Sequence, residues 1–243
     1  WGTTRIVKPP TYAATLNVAA CAAQAARLWK DLDPAFAKES LEIAEKTYAA
    51  VKAKSGWKVD EGDYKKDPQF APMDQAIGGG PYGDSYVQDD FYWAGCELAI
   101  TEKIFGNDAS EYYTDISGYK NANDSTGNDK AFSLTTNLGG GENKGSFSSF
   151  NWGCTSGLGT LSLYLNPECV EAADIKTVRE SIKNGADDYL EFMHNDSNGM
   201  GIPYVGSEFT DPNNVGYDPD TGELIKIKGY EWGSNSFVIN NAM

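Results

Sequence analysis

Helices that are apolar on most sides alternate along this chain with helices that are apolar on one side only. Residues 11–32 are rich in alanine and carry few charges, whereas residues 34–54 place apolar side chains on one side and Lys and Glu on the other. Asp33-Pro34 predicts the boundary between them, because Asp is a preferred N-cap and Pro suits the first helical position. The two segments therefore predict an αα-hairpin with one buried and one amphipathic helix.

The same alternation continues through the rest of the chain. Further helices are predicted over residues 87–105, 110–116, 156–165 and 175–194, and a last one begins near Gly233. Residues 118–143 are rich in Asn, Gly, Asp and Ser, and residues 196–229 contain three prolines and several glycines. Both segments predict long loops, with at most a short hairpin arm at residues 223–228. The pattern predicts an all-α fold, an (α/α) toroid with small-residue inner helices and amphipathic outer helices.

The charge of the chain limits its partners. With 35 acidic and 20 basic residues the formal net charge is −15, which makes the electrostatic term for binding nucleic acid or an anionic membrane repulsive. No apolar run approaches the ~20 residues of a membrane span. The single histidine, His194, excludes a multi-histidine metal site and is predicted to end a helix.

The four cysteines are widely spaced and form no CxxC pair, so they indicate neither a zinc site nor a disulfide scaffold. Cys21 and Cys96 fall in apolar helical patterns, which predicts buried free thiols. Residues 195–199 and 218–223 resemble calcium loops in composition but lack EF-hand spacing, so tight turns are predicted there.

A glycine-rich loop at residues 78–83 runs into an acidic helix start. No Lys or Ser/Thr follows at the offset of a phosphate-binding loop, and carboxylates crowd the segment. Two interpretations stay open. Asp89 and Asp90 either favour the helix dipole and cap the first turn, or converge with Asp84 and Ser85 on a calcium ion.

Aromatic residues recur in loops where helices begin. Tyr82 follows the glycine run, and Trp152 and Trp232 are each followed directly by glycine. Tyr92 and Trp93, inside a helix, are predicted to pack in the core. The loop aromatics lie where a toroid opens its cleft, and exposed rings stack well on sugars, so a neutral-to-acidic cleft with these side chains favours a polysaccharide.

Six segments in this order resemble the catalytic module of glycoside hydrolase family 9, the inverting cellulases: residues 9–17, 81–84, 89–94, 151–153, 158–162 and 232–236. The resemblance covers nearly the whole chain. It implies an (α/α)6 barrel, cleavage of β-1,4-glucans such as cellulose, frequent calcium binding, and a secreted or cellulosome-bound enzyme. It also implies accessory carbohydrate-binding or dockerin modules as partners.

By motif matching, the resemblance places Trp232 at a position that stacks on a glucosyl unit, Phe237 beside it, and Tyr82 at the border of the cleft. Together with Trp152 these are the expected substrate-binding residues. Ser85, Asp89 and Asp90 match part of the family's calcium site. The family's catalytic aspartate pair and its acid glutamate have no counterpart here, so no catalytic residue is assigned.

We therefore expect residues 1–243 to be part of a single (α/α)6 catalytic domain, truncated at both termini and inactive by itself. The start at Trp1 and the end inside an apolar run before Met243 fit that expectation. Two alternatives remain: a non-catalytic glucan-binding (α/α)6 protein, and another (α/α)6 polysaccharide-active enzyme such as a lyase or epimerase. The single histidine weakens the last alternative.

Overall fold

The computed structural model describes residues 10–55, 87–118, 132, 150, 155–195, 207–210, 216–229 and 234–243. Within them the helices are α1 (Tyr12–Trp29), α2 (Pro34–Ser55), α3 (Gln88–Phe105), α4 (Ser110–Ser117), α5 (Ser156–Leu165), α6 (Ala172–Asn195) and α7 (Ser234–Ala242). A 3-10 turn at Pro167–Cys169 joins α5 to α6. Strands β1 (Ser207–Thr210) and β2 (Lys226–Gly229) pair antiparallel, with Ser207 opposite Gly229. Every helix predicted from the sequence is present.

Local signals in the sequence set several helix ends. Thr11 caps α1, and its Oγ1 accepts a hydrogen bond from the Ala14 backbone N–H at 3.2 Å. Asp33 does the same for α2, with 3.0 Å between its Oδ1 and the Phe36 nitrogen. Gly106 ends α3 in the left-handed region at φ 79°, which a residue without a Cβ adopts at little cost.

Helix α3 is the centre of the described structure. Every residue from position 89 to position 102 is buried, and α3 contacts α1, α2, α4 and α5. Hydrogen bonds join Asn17 to Asp90, Gln24 to Glu97 and Lys30 to the Ile104 carbonyl, so positions advance together along α1 and α3. The two helices are therefore parallel. Helix α5 runs the same way beside α3, because Thr155 bonds Asp89 and Ser162 bonds Glu97.

Small residues permit the close approach of α3 to its neighbours. A Cβ placed on Gly159 of α5 would lie 3.0 Å from both Cys96 Sγ and a Tyr92 ring carbon. A Cβ on Gly95 of α3 would lie 2.7 Å from Ile116 Cγ2 of α4. These are the small apolar positions that the sequence pattern indicated for inner helices, and they let aromatic rings pack directly against backbone.

The prediction that α1 is buried on most sides was wrong for the described structure. Its core-facing side carries Leu16 and several alanines, but Val18 is 48% exposed and Leu28 is 69% exposed. Cys21 lies on the same exposed side, so its predicted burial was also wrong, whereas Cys96 is buried as predicted. Polar residues of α1, including Asn17 and Gln24, contact α3, so the composition of the helix does not show which side faces the protein.

The segment predicted as a loop after α6 contains the β1–β2 hairpin and a tight turn. Asp218 Oδ1 accepts hydrogen bonds from the backbone N–H groups of Asp220 and Thr221 at 2.8 and 2.9 Å, and Gly222 adopts φ 70°. The turn predicted for residues 218–223 is thus confirmed, and most of the companion segment 195–199 lies outside the described residues. His194 lies in the last turn of α6, as predicted. In the part of the chain that the structure describes, no helix has the length and apolarity needed to cross a membrane.

Candidate functional site

Two buried aspartates occupy the end of the bundle where α1, α3 and α5 begin. Asp89 and Asp90 lie in the first turn of α3 and are 1% and 2% exposed. Asn17 approaches them from the second turn of α1, and Thr155 approaches from the residue before α5. Three separate helices therefore converge on this carboxylate pair.

Both carboxylates bind the polar groups of neighbouring helices. Thr155 donates its backbone N–H to Asp89 Oδ2 at 2.8 Å, and its Oγ1 lies 3.1 Å from Asp90 Oδ1. Asn17 donates its Nδ2 to the same Asp90 oxygen at 3.0 Å. Val87 is the N-cap of α3 and makes no side-chain cap hydrogen bond. The aspartates lie in the first turn, where the helix dipole favours negative charge, but these hydrogen bonds tie helices together and do not cap α3.

The donor set at this site suits a hard cation. Two adjacent buried carboxylates and a threonine hydroxyl are oxygen ligands of the type that calcium prefers. Burying two negative charges side by side is costly unless other charges or dipoles compensate. Within the described ranges no three Asp, Glu, His or Cys side chains gather closely enough to hold a metal alone. The aspartate pair thus fits calcium as one part of a ligand set.

The other predicted site residues divide into two groups. Tyr82, Ser85, Trp152 and Trp232 lie outside the described residues. Phe237 is described on α7 and is fully buried, so its ring packs in the interior and is not open to a sugar. Asn240 of the same helix donates its Nδ2 to the Phe150 carbonyl at 2.9 Å. That bond brings α7 next to the start of the segment that contains Trp152.

A third buried carboxylate, Glu97, lies farther along α3, and the sequence patterns predicted no role for it. Its Oε1 accepts hydrogen bonds from Gln24 at 2.7 Å, Trp93 at 3.0 Å and Ser162 at 2.5 Å. Its Oε2 forms an ion pair with Arg27 at 2.5 Å. A signal was present, because Glu97 is the one charged residue within the apolar run at positions 91–100.

A separate group of acidic residues lies where α2 meets the C-terminal end of α3. Partial burial, a hydrogen bond to Glu102 and the charges of Glu102 and Glu42 raise the pKa of the Glu45 carboxyl to about 7. Glu102 itself is 2% exposed and accepts a hydrogen bond from Asn107 Nδ2 at 2.7 Å. Burial and the neighbouring charges of Glu102 and Glu45 also raise the pKa of Tyr112. These groups lie at the C-terminal end of α3, away from the aspartate pair.

Parallel inner helices, amphipathic helices outside them and a carboxylate pair at one end define an (α/α) barrel module. A sequence profile of Glycosyl hydrolase family 9 matches residues 3–243. The chain belongs to glycosyl hydrolase family 9, and the predicted (α/α)6 barrel class is confirmed.

Characterised relatives extend well beyond the matched region. The chain is 35% identical to a cellulose 1,4-beta-cellobiosidase of Acetivibrio thermocellus over 97% of its own length and 22% of that protein. It is 32% identical to endoglucanase C of Cellulomonas fimi, over 98% of its length and 16% of that protein. The chain thus spans less than a quarter of the length of these relatives.

Solved structures agree on the fold. The structure of AaCel9A in complex with cellobiose-like isofagomine matches with a TM-score of 0.60 at 20% identity, covering 97% of this chain and 33% of that chain. A variant of the thermostable endoglucanase from Alicyclobacillus acidocaldarius matches with a TM-score of 0.58 at 21% identity, over the same shares of the two chains.

Proposed function

We propose that this chain is part of an enzyme that hydrolyses β-1,4-glucosidic bonds in cellulose or a related β-glucan. The observation that carries the proposal is the family match over residues 3–243, supported by relatives at 35% and 32% identity that are named for cellobiosidase and endoglucanase activity. In this proposal the chain is one portion of a single (α/α)6 catalytic domain.

The proposed reaction proceeds with inversion at the anomeric carbon. An inverting glycosidase needs a general acid and a general base about 6.5–9.5 Å apart, with a water molecule between the base and the sugar. We assign the base, an aspartate pair, and the acid, a glutamate, to sequence outside residues 1–243. The chain itself contributes to substrate binding.

The proposed sugar contacts are the loop aromatics Tyr82, Trp152 and Trp232. Rings presented at helix starts can stack on the apolar faces of glucosyl units and position the polymer without forming charged contacts. Phe237 is not proposed as a sugar contact, because its ring is buried. Its helix, α7, is held by the hydrogen bond from Asn240 to the Phe150 carbonyl. We propose that Phe237 supports the cleft wall from inside.

Calcium is proposed as a structural ion held by Asp89 and Asp90, with Ser85 as a further ligand. The two buried carboxylates and their link to Thr155 support this assignment. A bound divalent cation would offset the charge of the pair and stabilise the ends of α3 and α5 against each other. Chelation with EDTA should therefore lower the melting temperature of the complete protein, and added calcium should restore it. An unchanged melting temperature would refute the assignment.

A secreted location and attached carbohydrate-binding or dockerin modules complete the proposal. The acidic composition and the much greater length of the relatives support them. Proteomic analysis of culture supernatant and cell fractions, with the intact mass of the polypeptide, tests both points.

The activity is tested with the complete natural polypeptide on a soluble cellulose derivative. Release of reducing ends, with the α-anomer appearing first by proton NMR, is expected. Initial formation of the β-anomer would refute the inverting mechanism. Tight binding to glucan without bond cleavage would instead identify a non-catalytic glucan-binding protein. Trp232→Ala should raise KM while circular dichroism stays unchanged, and the exposed Tyr217→Ala on the hairpin is the matched aromatic control.

A further inference from the structure

A seven-residue repeat of polar contacts crosses the three parallel inner helices. At one level, Asp90 Oδ1 accepts hydrogen bonds from the Asn17 amide on α1 and from the Thr155 hydroxyl before α5. At the next level, Glu97 Oε1 accepts from the Gln24 amide and the Ser162 hydroxyl. We call these the upper rung (Asn17, Asp90, Thr155) and the lower rung (Gln24, Glu97, Ser162).

The spacing of the two rungs is identical on all three segments. Asn17 and Gln24, Asp90 and Glu97, and Thr155 and Ser162 are each separated by 7 residues. Seven residues are close to two turns of helix, about 3.6 residues each, so both members of a pair lie on the same face. Each rung has the same chemistry, an amide and a hydroxyl donating to one carboxylate oxygen.

The rungs also match in side-chain length. The shorter amide, Asn17, meets the shorter acid, Asp90, and the longer Gln24 meets the longer Glu97. A slide of α1 along α3 by one residue, about 1.5 Å, would lengthen both amide contacts together. A slide by two turns would leave one carboxylate without an amide partner and would pair an amide and an acid of unequal length at the other. The rungs therefore select a single register.

The lower rung is held by several further contacts. Glu97 is fully buried, and besides its three hydrogen bonds it forms the ion pair with Arg27. Arg27 in turn donates to Thr101 Oγ1 at 3.3 Å, which itself donates to the Ala23 carbonyl at 2.9 Å. A buried carboxylate is tolerated only with its donors in place, so any displacement of α1 or α5 that separates them is strongly disfavoured.

We propose that Glu97 is a positioning residue for the aspartate pair. By fixing the register of α1, α3 and α5 at the lower rung, it places Asn17 and Thr155 against Asp89 and Asp90 two turns away. The geometry of the carboxylates at the end of the bundle where α1, α3 and α5 begin is thus set by a group that does not touch them. The part of this inference that concerns calcium rests on the proposed function.

The test compares Glu97→Ala with Val178→Ala in the complete natural polypeptide. Val178 is a fully buried core residue of α6 and belongs to neither rung, so its loss destabilises the protein without touching the register. Hydrogen exchange of the Thr155 amide, which donates to Asp89, reports the upper rung directly. We expect exchange at Thr155 to be about tenfold faster in Glu97→Ala than in Val178→Ala after correction for global stability.

A rescue variant separates hydrogen bonding from charge. In Arg27→Met with Glu97→Gln, the glutamine carbonyl can accept the hydrogen bonds from the Gln24 amide and the Ser162 hydroxyl, and no unpaired cation remains. Exchange at Thr155 should return close to the wild-type rate. Equal rates in Glu97→Ala and Val178→Ala, or no rescue by the double variant, would overturn the proposal. If Glu97→Ala does not fold, the double variant Gln24→Ala with Ser162→Ala replaces it. This variant removes the hydrogen bonds from α1 and α5 to Glu97 and keeps the ion pair with Arg27. Faster exchange at Thr155 than in Val178→Ala is again expected, and equal rates would overturn the proposal.

Calcium titration provides the second readout. Glu97→Ala should weaken calcium binding about tenfold, whereas Val178→Ala should leave it unchanged. Absence of calcium binding in the wild-type protein would refute the proposed calcium site, and the exchange experiment would still decide the role of Glu97. Wild-type calcium affinity in Glu97→Ala would contradict the positioning role.

Discussion

Replacing Glu45 with Gln should make the stability of this protein less dependent on pH. Partial burial and the hydrogen bond to Glu102 raise the pKa of Glu45 to about 7, above the value of the unfolded chain. Folding therefore favours the protonated acid. Its stabilising contribution is complete below the unfolded-state pKa and is lost as pH rises through about 7.

The size of the effect follows from the pKa difference and the exposure of the group. A rise from 4.5 to about 7 corresponds to about 3 kcal/mol before solvent screening is taken into account. Glu45 is only half-buried, so solvent screening reduces the expected contribution to about 1 kcal/mol. At about pH 8, Glu45→Gln should raise the free energy of unfolding by about that amount, because it removes a partly buried charge and its repulsion with Glu102.

Urea denaturation at about pH 4, below the unfolded-state pKa, and at about pH 8 measures the difference. At the lower pH the variant should equal the wild type, since glutamine can donate the hydrogen bond that the protonated acid donates. Glu39→Gln is the control, because Glu39 is an exposed acid on the same helix and its loss should have the same small effect at both pH values. A Glu45→Gln protein destabilised more at high than at low pH would refute the reasoning.

Three further predictions test packing, capping and exposure. Gly159→Ala should lower the free energy of unfolding by about 1–3 kcal/mol, because the added Cβ would lie 3.0 Å from Cys96 Sγ and a Tyr92 ring carbon. Thermal denaturation measures this loss of stability. Asp33→Ala should cost about 1 kcal/mol through the lost cap of α2, while Asp33→Asn should cost only a few tenths. Cys21 should react with a thiol reagent in the native protein and Cys96 only after denaturation, as peptide mass mapping would show.

Each of these has a result that would contradict it. Unchanged stability in Gly159→Ala would mean that α5 does not approach α3 as closely as described. Equal losses in the two Asp33 variants would exclude a capping role. Labelling of Cys96 at the rate of Cys21 would contradict the burial of α3.

The sequence predicted the helices well because their signals are local. Thr11 and Asp33 act through hydrogen bonds within one turn, and Gly106 ends α3 through its own backbone conformation. The hairpin was harder to predict. β1 pairs with β2 across the tight turn at Asp218, and four-residue strands carry too little alternation to identify.

Burial in the described structure departs from the sequence pattern in α1, whose polar residues Asn17 and Gln24 face a neighbouring helix. α1 has apolar residues on all sides, so its composition did not distinguish buried Leu16 from exposed Val18 and Leu28. For Phe237 the motif match predicted a substrate contact, but the described structure buries the ring. The type of a residue predicts what its side chain can bind. Whether that side chain is exposed depends on which segment of the chain packs over it.

By itself the sequence determined the helix boundaries, the acidic character, the family resemblance and the presence of Asp89 and Asp90 at a helix start. Only the tertiary structure decided that those aspartates face Asn17 and Thr155, and that Glu97 repeats the same contacts two turns farther along. The physical reason is the distance along the chain over which each interaction acts. Capping and helix propensity act within one turn of the chain, whereas the rungs join residues that are 65 to 73 positions apart and meet only when three helices pack in register.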